Sequence, residues 1–141
     1  MPHPIMFGDD DMGLAEVRGI ALSFPGASEK ISHGRPVFCA PKMFAIYGGS
    51  AKGSAEGGGS TRAGGEHIRY PHAVLVKVDQ SDRQALAQDR RIFYPAYMGP
   101  YGWLGLDFTA ARVDWDEVAE LIDASFRLVA STKLIAQLDG S

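Results

Sequence analysis

Cysteine occurs once in these 141 residues, at Cys39, so no intramolecular disulfide can form. A lone thiol suits a reducing compartment. Within the apolar run Val37-Phe38-Cys39-Ala40 it has no adjacent base, which makes it a poor nucleophile. No stretch approaches the ~20 apolar residues of a membrane-spanning helix. The opening Met1-Pro2-His3-Pro4-Ile5 lacks the basic start and long apolar run of a signal peptide. The expectation is a soluble cytoplasmic protein with no membrane partner. His3, His33, His67 and His72 lack the close spacing of structural zinc ligands, so neither a metal nor a cofactor is expected. Gly57-Gly58-Gly59-Ser60-Thr61 lacks the Gly-Lys-Ser/Thr ending of a phosphate-binding loop and reads as linker. No nucleophile stands with its base at a catalytic spacing, and no enzyme is expected.

The chain has the length of one domain, which at this size buries roughly two-thirds of its unfolded surface without a disulfide or metal. Its net charge of −3 counts against nucleic-acid binding as a global property. The charge is unevenly placed. Residues 1–30 hold five acids and two bases, residues 31–100 five acids and nine bases, and residues 101–141 seven acids and three bases. The middle is therefore cationic and both ends are acidic.

Helical spacing of Met12, Leu14, Val17, Ile20 and Ala21 predicts a first helix over about residues 10–23, which Phe24-Pro25-Gly26 terminates. Val37 to Ala40 and Met43 to Tyr47 read as antiparallel strands around Pro41-Lys42, and Val74 to Val78 as a central strand. Residues 48–71 carry eight glycines and almost no large apolar residue, which predicts a flexible insertion. Ser81 is positioned to cap a short helix over 82–89 anchored by Leu86. Ile92 to Met98 and Tyr101 to Phe108 read as extended segments meeting at Gly99-Pro100. Asp114 and Glu117 form a capping-box pattern before a helix whose apolar face is Trp115, Val118, Leu121, Ile122, Phe126 and Val129. This order predicts an α+β two-layer sandwich, an antiparallel sheet with helices packed on one face.

Two groups of residues are candidates for recognition. Lys30, His33, Arg35 and Lys42 surround the first hairpin, and Arg90 and Arg91 precede the second aromatic segment; together they could hold an anion. Tyr94, Tyr97, Tyr101 and Trp103 form the densest aromatic group, and Gly99-Pro100 and Gly102 predict a loop that presents these rings for stacking. The acids of the last helix, Asp114, Asp116, Glu117, Glu120 and Asp123, complement its dipole and solvate its outer face.

Phe24-Pro25-Gly26, the hairpin from Lys30 through Gly34 and Pro36 to Phe38, and Lys42-Met43-Phe44-Ala45 resemble the opening of the MmcQ/YjbR family, small bacterial proteins whose leading helix ends in a similar turn. Val74 to Asp79, Tyr94 to Gly99, Gly102 to Asp107 and Ser125 to Ala130 continue the match in order. The resemblance implies a YjbR-like fold similar to that of secretion chaperones. It implies nucleic acid as the partner, in a non-enzymatic domain; the alternative is a protein-interaction or chaperone-like adaptor. The glycine-rich insertion departs from the family's shorter connection. Extending a loop from about 4 to about 22 residues adds only on the order of 1.5 kcal/mol in closure entropy, so the fold tolerates it.

Overall fold

The computed structural model describes residues 5, 7–52 and 67–140. His3 and the Gly57-Thr61 stretch lie outside the described residues, as does most of the predicted glycine-rich loop. In chain order the elements are α1 (Leu14–Leu22), β1 (Ser28–Ser32), β2 (Arg35–Cys39), β3 (Met43–Lys52), β4 (His67–Lys77), α2 (Gln80–Ala87), β5 (Ile92–Phe93), β6 (Trp103–Asp107), α3 (Trp115–Val129) and α4 (Thr132–Gly140). A 3-10 turn, Gly99–Tyr101, joins β5 to β6. The strands make one antiparallel sheet in the order β1-β2-β3-β4-β6-β5. Among the described residues, no helix is long and apolar enough to cross a membrane.

The predicted α+β architecture is present, with several boundaries moved. β3 and β4 run into the glycine-rich stretch, to Lys52 and back from His67, so the ends of the expected loop are paired strand. α1 begins at Leu14 rather than near Asp10, because Asp11 closes a turn onto the Gly8 amide and Gly13 takes a left-handed conformation at φ 82°. A Cβ at Gly13 would lie 2.6 Å from the Phe108 ring, so helix and strand meet where only glycine fits. α2 is capped by Asp79, whose carboxylate accepts from the Ser81 amide at 3.0 Å, and not by Ser81. Asp114 caps α3 as expected, accepting from the Asp116 and Glu117 amides. The Glu117 carboxylate pairs with Arg91. The sequence pattern did not separate α4 from α3. Ser131 starts it by accepting from the Leu134 amide.

One sheet face is covered by helices. Val118, Ile122 and Phe126 of α3 and Leu14, Val17 and Ala21 of α1 are buried against Phe38, Phe44, Tyr47, Val74, Val76 and Leu104. Leu86 of α2 and Leu134, Ile135 and Leu138 of α4 pack around the edge of this core. The opposite face carries a smaller cluster, Val37, Cys39, Ile46, Ala73, Leu75, Phe93 and Trp103, with no helix over it among the described residues.

Candidate ligand site on the helix-free face

Cross-strand register decides which side chains share this face. Lys30 stands opposite Val37, Val37 opposite Ile46, Ile46 opposite Leu75, Leu75 opposite Gly105 and Gly105 opposite Phe93. Directly opposed residues point to the same side, so Lys30 belongs to the row whose apolar members form the helix-free cluster. Glu29, one residue earlier, faces the helices, where Arg18 of α1 donates to it at 2.8 and 2.9 Å. Strand alternation thus sorts the charges of β1: the acid to the helix side, the base to the open side.

The β1–β2 turn consists of His33 and Gly34, at φ 53° and 81°. Two successive positive φ values are what a two-residue type I′ hairpin requires, and they set Ser32 opposite Arg35. The chain after β5 crosses the same face as a strap. The Ala96 amide donates to the Ser50 carbonyl at 2.7 Å, and Phe93 stacks on Tyr70 with centroids 3.8 Å apart. Between hairpin and strap lies a cleft of about 630 Å³. Val37, Met43, Ile46, Leu75 and Met98 supply its apolar lining, and His33, Arg35 and Tyr97 its polar rim. Tyr97 is 72% exposed and sits at φ 67°, a backbone region that bulky side chains rarely occupy. Among the described residues, no carboxylate lines the cleft. Among the described residues, a hollow of similar size between Pro25 and α4 is lined by one cation, Lys133, and no aromatic ring.

Of the ten sequence-predicted site residues, His33, Arg35 and Tyr97 converge on the cleft, and Lys30 shares its face. Lys42 is exposed in the β2–β3 turn, which contains a cis Ala40–Pro41 bond, beside the cleft residue Met43. Arg90, Tyr94 and Tyr101 are exposed but lie outside the cleft lining. Trp103 is buried beneath the strap with Met98 against its cluster, so it is part of the floor's packing rather than a presented ring. Arg91 lies between two carboxylates, with Asp89 at 2.6 Å and Glu117 at 2.8 Å.

That arrangement around Arg91 has a pH signature. The hydrogen-bonded Arg91 side chain, then its amide, hold the Asp89 carboxyl at about 2. This is below the ordinary aspartate value near 4. Ionised Asp89 therefore stabilises the fold at neutral pH, and the contribution is lost as pH falls from about 4 through about 2. Asp89→Asn is expected to lower stability at pH 7 by at most about 1 kcal/mol, because the pair reaches solvent. The difference from wild type shrinks as pH falls toward 2 and closes below it in acid-titrated thermal unfolding. A gap that persists unchanged at that pH contradicts the assignment.

Sequence reasoning missed Arg69. It lay within the stretch read as loop, whereas β4 begins at His67 and carries it beside Arg35. The signal was the short run His67-Ile68-Arg69-Tyr70, whose β-prone residues lead into the apolar Ala73 to Val76.

A family model described as YjbR matches residues 22–128, from the end of α1 through α3 and including every strand and the whole cleft. The chain belongs to the YjbR family. Within this family domain, the matched region excludes α4 and most of α1, so both the hairpin and the strap that bound the cleft are family elements. No curated protein matches the chain, and no solved structure does.

Proposed function

We propose that this YjbR-family protein is a non-enzymatic binding domain that takes a single-stranded nucleic acid across the helix-free face of its sheet. One observation carries the reading: on a chain of net charge −3, the described lining of the cleft holds Arg35 and His33 and no carboxylate. Three arginines elsewhere are neutralised, Arg18 by Asp9 and Glu29, Arg91 by Asp89 and Glu117, and Arg127 by Asp123 and Asp139. Arg35 has no such partner among the described residues. A nucleotide strand supplies phosphates for Arg35 and Lys30 and flat, weakly polar bases for Tyr97 and the thioethers of Met43 and Met98.

If Lys30 and Arg35 each neutralise one phosphate, log affinity falls with log salt at a slope of about −1.4 for a single strand. Tyr97→Ala is expected to weaken binding by about 1–3 kcal/mol, the range for losing one stacked base. Fluorescence anisotropy with a labelled oligonucleotide reads both quantities. Absence of binding at low salt ends this proposal. The adaptor reading draws on a different feature, the edge of β1, which pairs no further strand among the described residues, with Ile31 55% exposed. A complex with a protein that survives nuclease treatment is the result that would favour it.

A further inference from the structure

Next to the cleft lies a second, smaller hollow of about 40 Å³, lined by Phe7, Arg35, Tyr47, Gly48, Arg69 and Pro71. Arg35 and Gly48 belong to both spaces. The hollow exists because the β3–β4 ladder is irregular between Tyr47 and Gly49, where Tyr47 pairs with Val74 but Gly49 pairs with Tyr70. Gly48 takes φ 86°, and Pro71 falls in the unpaired part of β4, where proline forfeits no ladder bond. A Cβ at Gly48 would stand 3.4 Å from Cδ and 3.5 Å from Nε of Arg35, in the space over which that side chain lies.

Two arginines therefore face one small space. Among the described residues, neither guanidinium has a hydrogen bond or ion pair, and no carboxylate lines the hollow. Burial, and after it the Arg69 charge, lower the proton affinity of Arg35. Arginine does not deprotonate in proteins, so the like charges remain and oppose each other. The Tyr47 phenol does not offset them. Burial, then the charges of Asp11 and Glu16, raise its pKa, and its hydroxyl donates to the Met12 carbonyl. Phe7 and the Tyr47 ring give the hollow low-dielectric walls, which strengthen an ionic contact made inside it.

We infer that the Arg35–Arg69 hollow is an oxyanion subsite for a single phosphate group, held by the two guanidinium forks above Gly48. The volume admits roughly three waters, which suits one tetrahedral oxyanion and excludes a nucleoside. Arginine forks match phosphate oxygens in pairs, and an anion between them removes their mutual repulsion. Because Arg35 borders both spaces, the group could be free inorganic phosphate or a terminal phosphate of a strand lying in the cleft. The subsite itself stands whether or not the cleft takes nucleic acid.

The test follows the arginine Nε–Hε signals of the full chain by NMR during titration with inorganic phosphate, with chloride holding ionic strength constant. Saturable shifts at Arg35 and Arg69 are expected. Arg69→Gln, an exposed position, should weaken the phosphate affinity at least tenfold with the backbone spectrum preserved, and Arg112→Gln should leave it unchanged. A second arm compares a short oligonucleotide with and without a 5′-phosphate. Earlier saturation by the phosphorylated strand than by inorganic phosphate assigns the subsite to strand ends, and equal saturation assigns it to free phosphate. Linear shifts without saturation, or equal affinities in Arg69→Gln and Arg112→Gln, overturn the inference even if the oligonucleotide binds elsewhere in the cleft.

Discussion

Phe126→Ala is expected to remove about 3–5 kcal/mol of folding stability, the range for truncating a buried phenylalanine and leaving a cavity. Phe126 is fully buried where α3 meets the sheet. Its ring lies 4.9 Å from that of Phe24 and 5.2 Å from that of Phe44, the latter edge-on at 89°. One substitution therefore removes a contact to the α1–β1 connection and another to β3. Folded domains are stable by about 5–15 kcal/mol, so the loss is a large share of the total. It corresponds to a fall of roughly 10–20 °C in Tm for a chain of this length. Urea unfolding followed by circular dichroism measures it. Phe126→Leu, which keeps most of the volume, should recover more than half of the loss; equal losses in the two variants would contradict a cavity origin.

Ser125→Ala is expected to lower stability by about 2–4 kcal/mol although it deletes a single oxygen. The hydroxyl is fully buried. It donates to the Phe44 carbonyl at 2.6 Å and accepts from the Lys77 amide at 2.9 Å. The β3–β4 ladder stops at Ala45 opposite Val76, and Ser125 bridges the next pair. Alanine leaves a carbonyl and an amide without partners in a dry interior, and each unmade bond costs about 1–3 kcal/mol. Hydrogen exchange reports the cause directly, since the Lys77 amide should exchange faster in the variant by more than the global destabilisation accounts for. Unchanged protection at Lys77 would remove this explanation.

These two sites differ in how far the sequence disclosed them. Phe126 falls on the helical apolar stripe with Val118 and Ile122, so periodicity alone marks it as core. Ser125 sits beside that stripe and looks like any polar helix residue. Its role depends on where β3 stops pairing, which no spacing within α3 encodes. The candidate site divides in the same way. The hairpin turn at His33-Gly34 and the cations beside it were legible, because turn chemistry is local. Trp103 and Arg91 were misplaced for opposite reasons. The tryptophan follows a glycine-rich turn that appeared to present it but is buried on the helix-free face beneath the strap, and the arginine's partner Glu117 lies 26 residues away. Arg69 was hidden because the glycines between 48 and 65 masked the strands that enter and leave that stretch.

By itself the chain determined most of its element types, the α+β class, the helix-facing stripes and the likeness to the YjbR family, all carried by patterns within a few residues of each other. Only the tertiary structure decided which cations stay unneutralised and which side of the sheet receives them. Ion pairing and strand register join residues far apart in sequence, and a one-residue change in register would send every side chain of β2 to the other face.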